Sequence, residues 1–193
     1  MAGQPFPPTF FVIDATTAQF TPSLSLKDLT VAGKRVDVIC RAALAALWWG
    51  ETLLQHVTFI AAFKHHAALF IEGTSLPASE FPRTELRLAH LLREVFAGRE
   101  TLVGINFVDK TFGEIIRELL DEGTLVWWLD EEGPLVENLF APGQAIAFVL
   151  GDHVGMSEEF LAEFATTLPR VSLGPRSYLG SACIQLVLSR QIF

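Results

Sequence analysis

Ala145-Ile146-Ala147-Phe148-Val149-Leu150 is an unbroken apolar run that stops at Gly151-Asp152-His153-Val154-Gly155. Further along, a second run ends in Val171-Ser172-Leu173 and stops at Gly174-Pro175-Arg176-Ser177-Tyr178-Leu179. Short apolar runs closed by glycine predict buried strands. The glycine itself predicts a sharp turn, or a place where a ligand comes close to the backbone. In an open α/β sheet, ligands lie beyond the carboxyl ends of the strands. Both loops are therefore expected at one pocket.

Outward from these runs, the chain alternates helix and strand signals. Ser157, followed by Glu158 and Glu159, reads as the start of a helix, with acids where the helix dipole favours them. Residues 125–129 read as an apolar strand, followed by an acidic turn at Asp130-Glu131-Glu132-Gly133-Pro134. Helical stripes run over 111–122 (Phe112, Ile115, Ile116, Leu119) and over 83–97 (Leu88, Leu91, Leu92, Val95), each stopped by a glycine, Gly123 or Gly98. Residues 56–63 and 67–72 are two strand-like runs with Lys64-His65-His66 between them, which predicts a tight return. A further helical stripe covers 36–49, a first strand covers 9–16, and the segment between them, up to Lys34, reads as a connecting loop. This alternation predicts an α/β fold: a mostly parallel sheet with helices on both faces.

The chain has 193 residues, half of them hydrophobic, which suits a single compact domain over residues 1–193. No apolar run approaches the ~20 residues a membrane span requires, and the N-terminus lacks the charged start and apolar centre of a secretory signal. The cytoplasm is the expected location. Two cysteines, Cys40 and Cys183, provide neither a disulfide framework nor zinc-ligand spacing. The pair His65-His66, with no third ligand at a fixed spacing, predicts a solvated turn and no metal. A net charge of −8 opposes nucleic-acid binding by overall attraction, so any RNA site has to be local. The densest basic cluster is Lys34, Arg35 and Arg41, with Lys27 upstream.

The segment Leu150-Gly151-Asp152-His153-Val154-Gly155, followed by Val171-Ser172-Leu173-Gly174-Pro175 and then Ser181-Ala182-Cys183-Ile184, resembles the tRNA pseudouridine N1-methyltransferases (TrmY family) of the SPOUT superfamily. Arg35-Val36-Asp37 and Arg41 match that family's Arg-x-Asp and the later arginine of its first helix. The resemblance implies a C-terminal trefoil knot, which physical reasoning alone would not suggest, because threaded chains are nearly absent among ordinary topologies. It also implies a homodimer and S-adenosylmethionine as cofactor. The implied cofactor contacts are Leu129, Gly151, Leu173, Gly174, Pro175, Arg176, Ser177, Tyr178 and Cys183. Asp37 is the implied group for fixing the base and taking its proton, with Arg35 and Arg41 contacting phosphate or base carbonyls. The bland reading of Asp37 is an ordinary first-turn acid paired with Arg41 at i+4.

The sequence departs from the family mainly in the RNA half. Lys34 stands directly before Arg35, Gly50-Glu51 and Leu54-Gln55 replace the Ser-His and arginine positions after the first helix, and Ala182 precedes Cys183. The implied activity is methylation of N1 of pseudouridine, at position 54 of the tRNA T-loop. Two other readings stand beside it: methylation of another RNA site, such as a ribosomal pseudouridine or a ribose 2′-hydroxyl, and a cofactor- and RNA-binding dimer without turnover.

Overall fold

The structure is a computed structural model that describes residues 6–21, 35–64, 67–141 and 143–192. Lys27, Lys34 and the His65-His66 pair lie outside the described residues. The first strand, β1 (Thr9–Ala15), is followed by helix α1 (Val36–Leu47), a small hairpin of β2 (Trp48–Trp49) and β3 (Thr52–Leu53), and the antiparallel pair β4 (Val57–Phe63) and β5 (Ala67–Glu72). Helix α2 (Glu85–Phe96), strand β6 (Ile105–Val108), helix α3 (Phe112–Asp121) and strand β7 (Leu125–Leu129) come next. The chain continues with β8 (Ile146–Gly151), α4 (Glu158–Phe164), β9 (Arg170–Val171) and α5 (Gly180–Ile192).

Seven of these strands form one sheet in the order β6-β5-β4-β1-β8-β7-β9. From β4 to β9 all neighbours are parallel, and β5 runs against both β4 and β6. β1 lies at the centre, with Phe11 beside Phe59 of β4 and Phe148 of β8. Because side chains alternate across a strand, Phe11 and Ile13 enter one core and Val12 the other. The first core is closed by Ile39 of α1, Leu88 of α2 and Ile184 of α5, and the second by Ile115 of α3 and Phe160 of α4. Both faces are covered, which explains why β1 and β8 read as continuous apolar runs without alternation.

The helix starts follow from local chemistry. The Thr111 hydroxyl accepts the Glu114 N–H while Glu114 reaches back to the Thr111 N–H, forming a capping box. Thr84 and Ser157 cap α2 and α4 in the simpler way. Two expectations need correction. The helix predicted over 36–49 ends at Leu47, because Trp48 is extended and pairs with Leu53 around Gly50, whose φ of 58° is costly for any residue with a Cβ. The Trp48 indole then donates to the Pro82 carbonyl at 3.0 Å. The last strand is only Arg170–Val171, since Ser172 leaves the ladder to bridge Leu135 and to bond Gly174 with its hydroxyl. Strand β6 was not anticipated at all.

Candidate functional site

Beyond the carboxyl ends of β7, β8 and β9 lies a cleft of about 600 Å³. Leu129, Gly151, Leu173, Arg176, Ser177, Tyr178 and Cys183 line it from the strand-end side, and Arg35 and Arg41 line it from α1. Gly174 and Pro175 do not line the cleft. They form the back of the loop, and the Tyr178 ring lies so close to Gly174 that a Cβ there would come within 3.0 Å of the Tyr178 hydroxyl.

The strand-end wall is built chiefly from main chain. At Gly151 a Cβ would meet the Gly155 carbonyl carbon at 2.2 Å and its oxygen at 2.4 Å, so β8 can turn back on itself only because residue 151 has no side chain. The turn is anchored by Asp152, whose side chain is almost fully buried and whose Oδ2 accepts from the Thr17 N–H at 2.8 Å and the Thr17 hydroxyl at 2.7 Å. Its Oδ1 accepts the Val154 N–H at 3.0 Å, and His153 Nδ1 lies 3.2 Å from the Thr17 hydroxyl. The end of β1 contributes Asp14, which accepts the Ser157 N–H at 2.8 Å; burial pushes its carboxyl above the ordinary 3.8.

The second loop is held from both ends. The Ser172 hydroxyl donates to the Gly174 carbonyl at 2.9 Å, and Arg190 of α5 donates to the Leu173 carbonyl at 3.1 Å. Between them, the main-chain N–H groups of Arg176, Ser177 and Tyr178 have no protein partner among the described residues. Leu129, Leu150 and Leu173 give the wall apolar faces, and Asp130 and Glu131 stand at its edge. Apolar faces with unbonded main-chain donors and a pair of acids suit a cationic nucleoside without phosphate. Cys183 is half-buried, its thiol is pushed up to about 11 by burial, and it donates to the Tyr178 carbonyl at 3.8 Å, so it is a protonated lining group and not a nucleophile.

The opposite wall consists of side chains. Arg35 clasps Asp37 with two bonds, Nε to Oδ1 at 3.0 Å and a terminal nitrogen to Oδ2 at 3.1 Å. Arg41, one turn further along α1, stands 3.6 Å from Asp37 Oδ2 and binds Glu85 of α2 through Nε at 3.0 Å. These hydrogen bonds push both guanidiniums further up. Asp37 itself is 3% exposed and does not line the cleft: it lies behind the two arginines that do. The i,i+4 pair with Arg41 that the bland reading expects is present, and Arg35 and Arg41, not Asp37 itself, face the pocket. Sequence reasoning missed Asp152 as an anchor, and it took Asp130 and Glu131 only for a turn with an acidic face. Among the described residues, no group of three or more His, Cys, Asp or Glu is placed to hold a metal ion, and no helix is long and apolar enough to cross a membrane.

The sheet order and its strand-end cleft define a mixed α/β fold, a mostly parallel seven-stranded sheet flanked by helices with a pocket beyond its strand ends. The structure superposes on Archaeoglobus fulgidus Nep1 bound to S-adenosylhomocysteine with a TM-score of 0.67 at 17% identity, covering 96% of this chain and 97% of that one. By sequence, residues 9–191 match the family described as "Putative SAM-dependent RNA methyltransferase", and the chain belongs to that family. It is 30% identical over 192 residues to the tRNA (pseudouridine(54)-N(1))-methyltransferase of Pyrococcus abyssi, spanning 92% of this chain and 94% of the relative. It is 29% identical over 190 residues to the enzyme of the same name from Thermococcus kodakarensis, spanning 92% and 95%.

Proposed function

We propose that this protein methylates N1 of pseudouridine in RNA, at position 54 of the tRNA T-loop; its relatives are named for N1 of pseudouridine 54 of tRNA. The observation that carries this reading is the meeting, in one cleft, of the two glycine-ended loops with the Arg35 and Arg41 guanidiniums. S-adenosylmethionine, when bound, supplies an electrophilic methyl group on a sulfonium centre. The residues fitted to hold it are Leu129, Gly151, Leu173, Arg176, Ser177, Tyr178 and Cys183, with Glu131 complementing its positive charge beside Asp130, which already faces Arg170 at 3.5 Å.

The chain's own contribution is alignment and charge. Pseudouridine is joined to its sugar through carbon, so N1 carries a proton and is free to react. A cleft that fixes N1 in the attacking geometry removes a large entropic part of the barrier. As N1 takes the methyl group it gives its proton to water at the mouth of the cleft, and the negative charge that builds on the base carbonyls meets Arg35 and Arg41, the donors facing the pocket. Asp37, behind them, acts as the positioning residue: it holds Arg35 by two parallel bonds, a geometry that fixes a guanidinium plane. The buried acid cannot reach a base unless the Arg35 clasp opens, so its first role is to aim the arginines.

The resemblance further supports a homodimer and a tail threaded into a trefoil knot, the composition supports a single domain over residues 1–193, and a tRNA substrate accords with a cytoplasmic location. Leu179 at 68% exposure, Leu161 at 44% and Tyr178 at 38% give the cleft an apolar rim of the kind a second copy covers. Incubation with labelled S-adenosylmethionine and tRNA carrying unmethylated pseudouridine, followed by nucleoside analysis, tests the activity. N1-methylpseudouridine is the expected product, and label on a ribose or on another base overturns the assignment.

A further inference from the structure

A second groove, of about 580 Å³, opens beside the cleft, between α1, the β2–β3 hairpin and the start of α5. Arg41 and Ser181 border both hollows, so the two are adjacent. Their charges differ. The cleft is lined by three arginines, Arg35, Arg41 and Arg176, and by three acids, Asp130, Glu131 and Asp152. Among the described residues the groove is lined by Arg83, by Arg41, which Glu85 pairs, and by no carboxylate. In a chain of net charge −8, Arg83 is a positive charge beside the reaction site with no acid paired to it among the described residues.

Arg83 is also presented in a distinctive way. Its guanidinium lies 4.0 Å above the Trp48 ring, and one terminal nitrogen donates to the Glu51 carbonyl at 2.9 Å. Trp48 is itself pinned by its indole bond to the Pro82 carbonyl. Stacking and a main-chain bond fix the guanidinium plane without neutralising it, and the guanidinium retains further N–H donors directed away from those contacts. Most other arginines of the described chain are tied to carboxylates, among them Arg35, Arg41, Arg99, Arg117 and Arg170. The ring is only 8% exposed beneath Arg83, which leaves no face for a base to stack upon. The ligand suited to the groove is therefore a phosphate.

Building on the function proposed above, we propose that this groove carries the backbone of the RNA strand flanking the target nucleotide, with Arg83 as the phosphate contact. The strand enters the cleft past Arg41 and Ser181 and continues over the β2–β3 hairpin. Arg83 then sets the affinity for RNA without touching the reacting base or the cofactor.

The test compares the wild type with Arg83→Gln, Arg83→Glu and Arg83→Lys, using a T-arm stem–loop RNA that carries pseudouridine and a series of salt concentrations. The expected result for Arg83→Gln is an RNA KM raised about 3- to 10-fold, kcat and S-adenosylmethionine affinity unchanged, and a salt slope of RNA binding reduced by about 1. Arg83→Glu goes further in the same direction, and Arg83→Lys keeps most of the affinity because a point charge serves a phosphate. Arg117→Gln, on the other face of the sheet, changes none of these. Unaltered RNA binding in the folded Gln and Glu variants, judged by melting temperature, overturns the proposal. So does a loss that disappears at high protein concentration and tracks dimer dissociation in sedimentation, since the groove would then be occupied by a second copy. If the wild type binds this RNA with an Arg83-dependent salt slope but transfers no methyl group, the catalytic reading fails and the groove stands.

Discussion

The two walls of the cleft are made of different material. The strand-end wall presents main chain: a glycine that cannot carry a Cβ, a loop with unbonded N–H groups, and anchors such as Asp152 and Arg190 that hold backbone in place. The α1 wall presents side chains, held by a chain of ion pairs from Arg35 through Asp37 and Arg41 to Glu85. A main-chain wall keeps its chemistry through most substitutions, provided the turn survives. A side-chain wall changes whenever one partner does.

Substitutions on each wall should fail differently. Asp37→Asn leaves the cleft's shape but loosens the aim of two arginines. We expect kcat to fall about 100-fold, within the range for losing an aligned polar group near the reacting atoms, with S-adenosylmethionine affinity unchanged by calorimetry. A fall confined to RNA KM would instead make the cluster a simple binding patch. Gly151→Ala acts on the opposite wall: its Cβ collides with the Gly155 backbone, and neither segment can yield without moving the loop. Cofactor affinity should drop at least ~10-fold and stability by about 1–3 kcal/mol, as for other overpacked sites. A variant that binds cofactor normally would show that the turn is not part of the site.

Asp152→Ala removes the acceptor for the Thr17 N–H and hydroxyl and the Val154 N–H. Leaving such donors unpaired costs about 1–3 kcal/mol, read as a lower urea midpoint, and cofactor binding should weaken together with it. The smallest effect is expected at Asp14. Its folded pKa is raised above 3.8, chiefly by burial, so the folded state holds its proton more tightly than the unfolded chain. The stabilising contribution of that proton is complete below the unfolded value and is lost as pH rises through the folded one. Asp14→Asn should therefore match the wild type near pH 3.5 and gain relative stability towards pH 7, a trend that urea titrations at several pH values will reveal. A relative loss at pH 7 would mean that the ionised carboxylate, bonded to the Ser157 N–H, is the form the fold prefers.

Much of this architecture was legible before any coordinates. Continuous apolar runs marked the doubly covered strands β1 and β8, Thr111 and Gly123 bracketed α3, and Gly151 announced the close backbone approach found there. Periodicity and caps are local, and the sequence records local physics directly. Strand order, however, is set by packing across the whole sheet, and nothing in residues 9–15 indicates that β1 sits at the centre. Strand β6 is four residues long and lacked a pattern to announce it. The role of Asp152 depends on Thr16 and Thr17, which are remote in sequence, and that of Asp130 and Glu131 on β7 ending beside β8. The Arg83–Trp48 stack likewise needs the hairpin that replaced the last turn of α1.

The central position of β1 also bears on how the polypeptide is made. This strand's two neighbours are β4, which follows soon after it in the chain, and the much later β8. At synthesis rates of roughly 5–20 residues per second, the stretch between Phe63 and Gly151 takes on the order of 4–18 s to appear. For that interval a nascent chain displays a bare, strongly apolar strand edge, open to intermolecular pairing. Yield of active enzyme should thus depend on chaperone supply and translation speed more than on the finished molecule's stability.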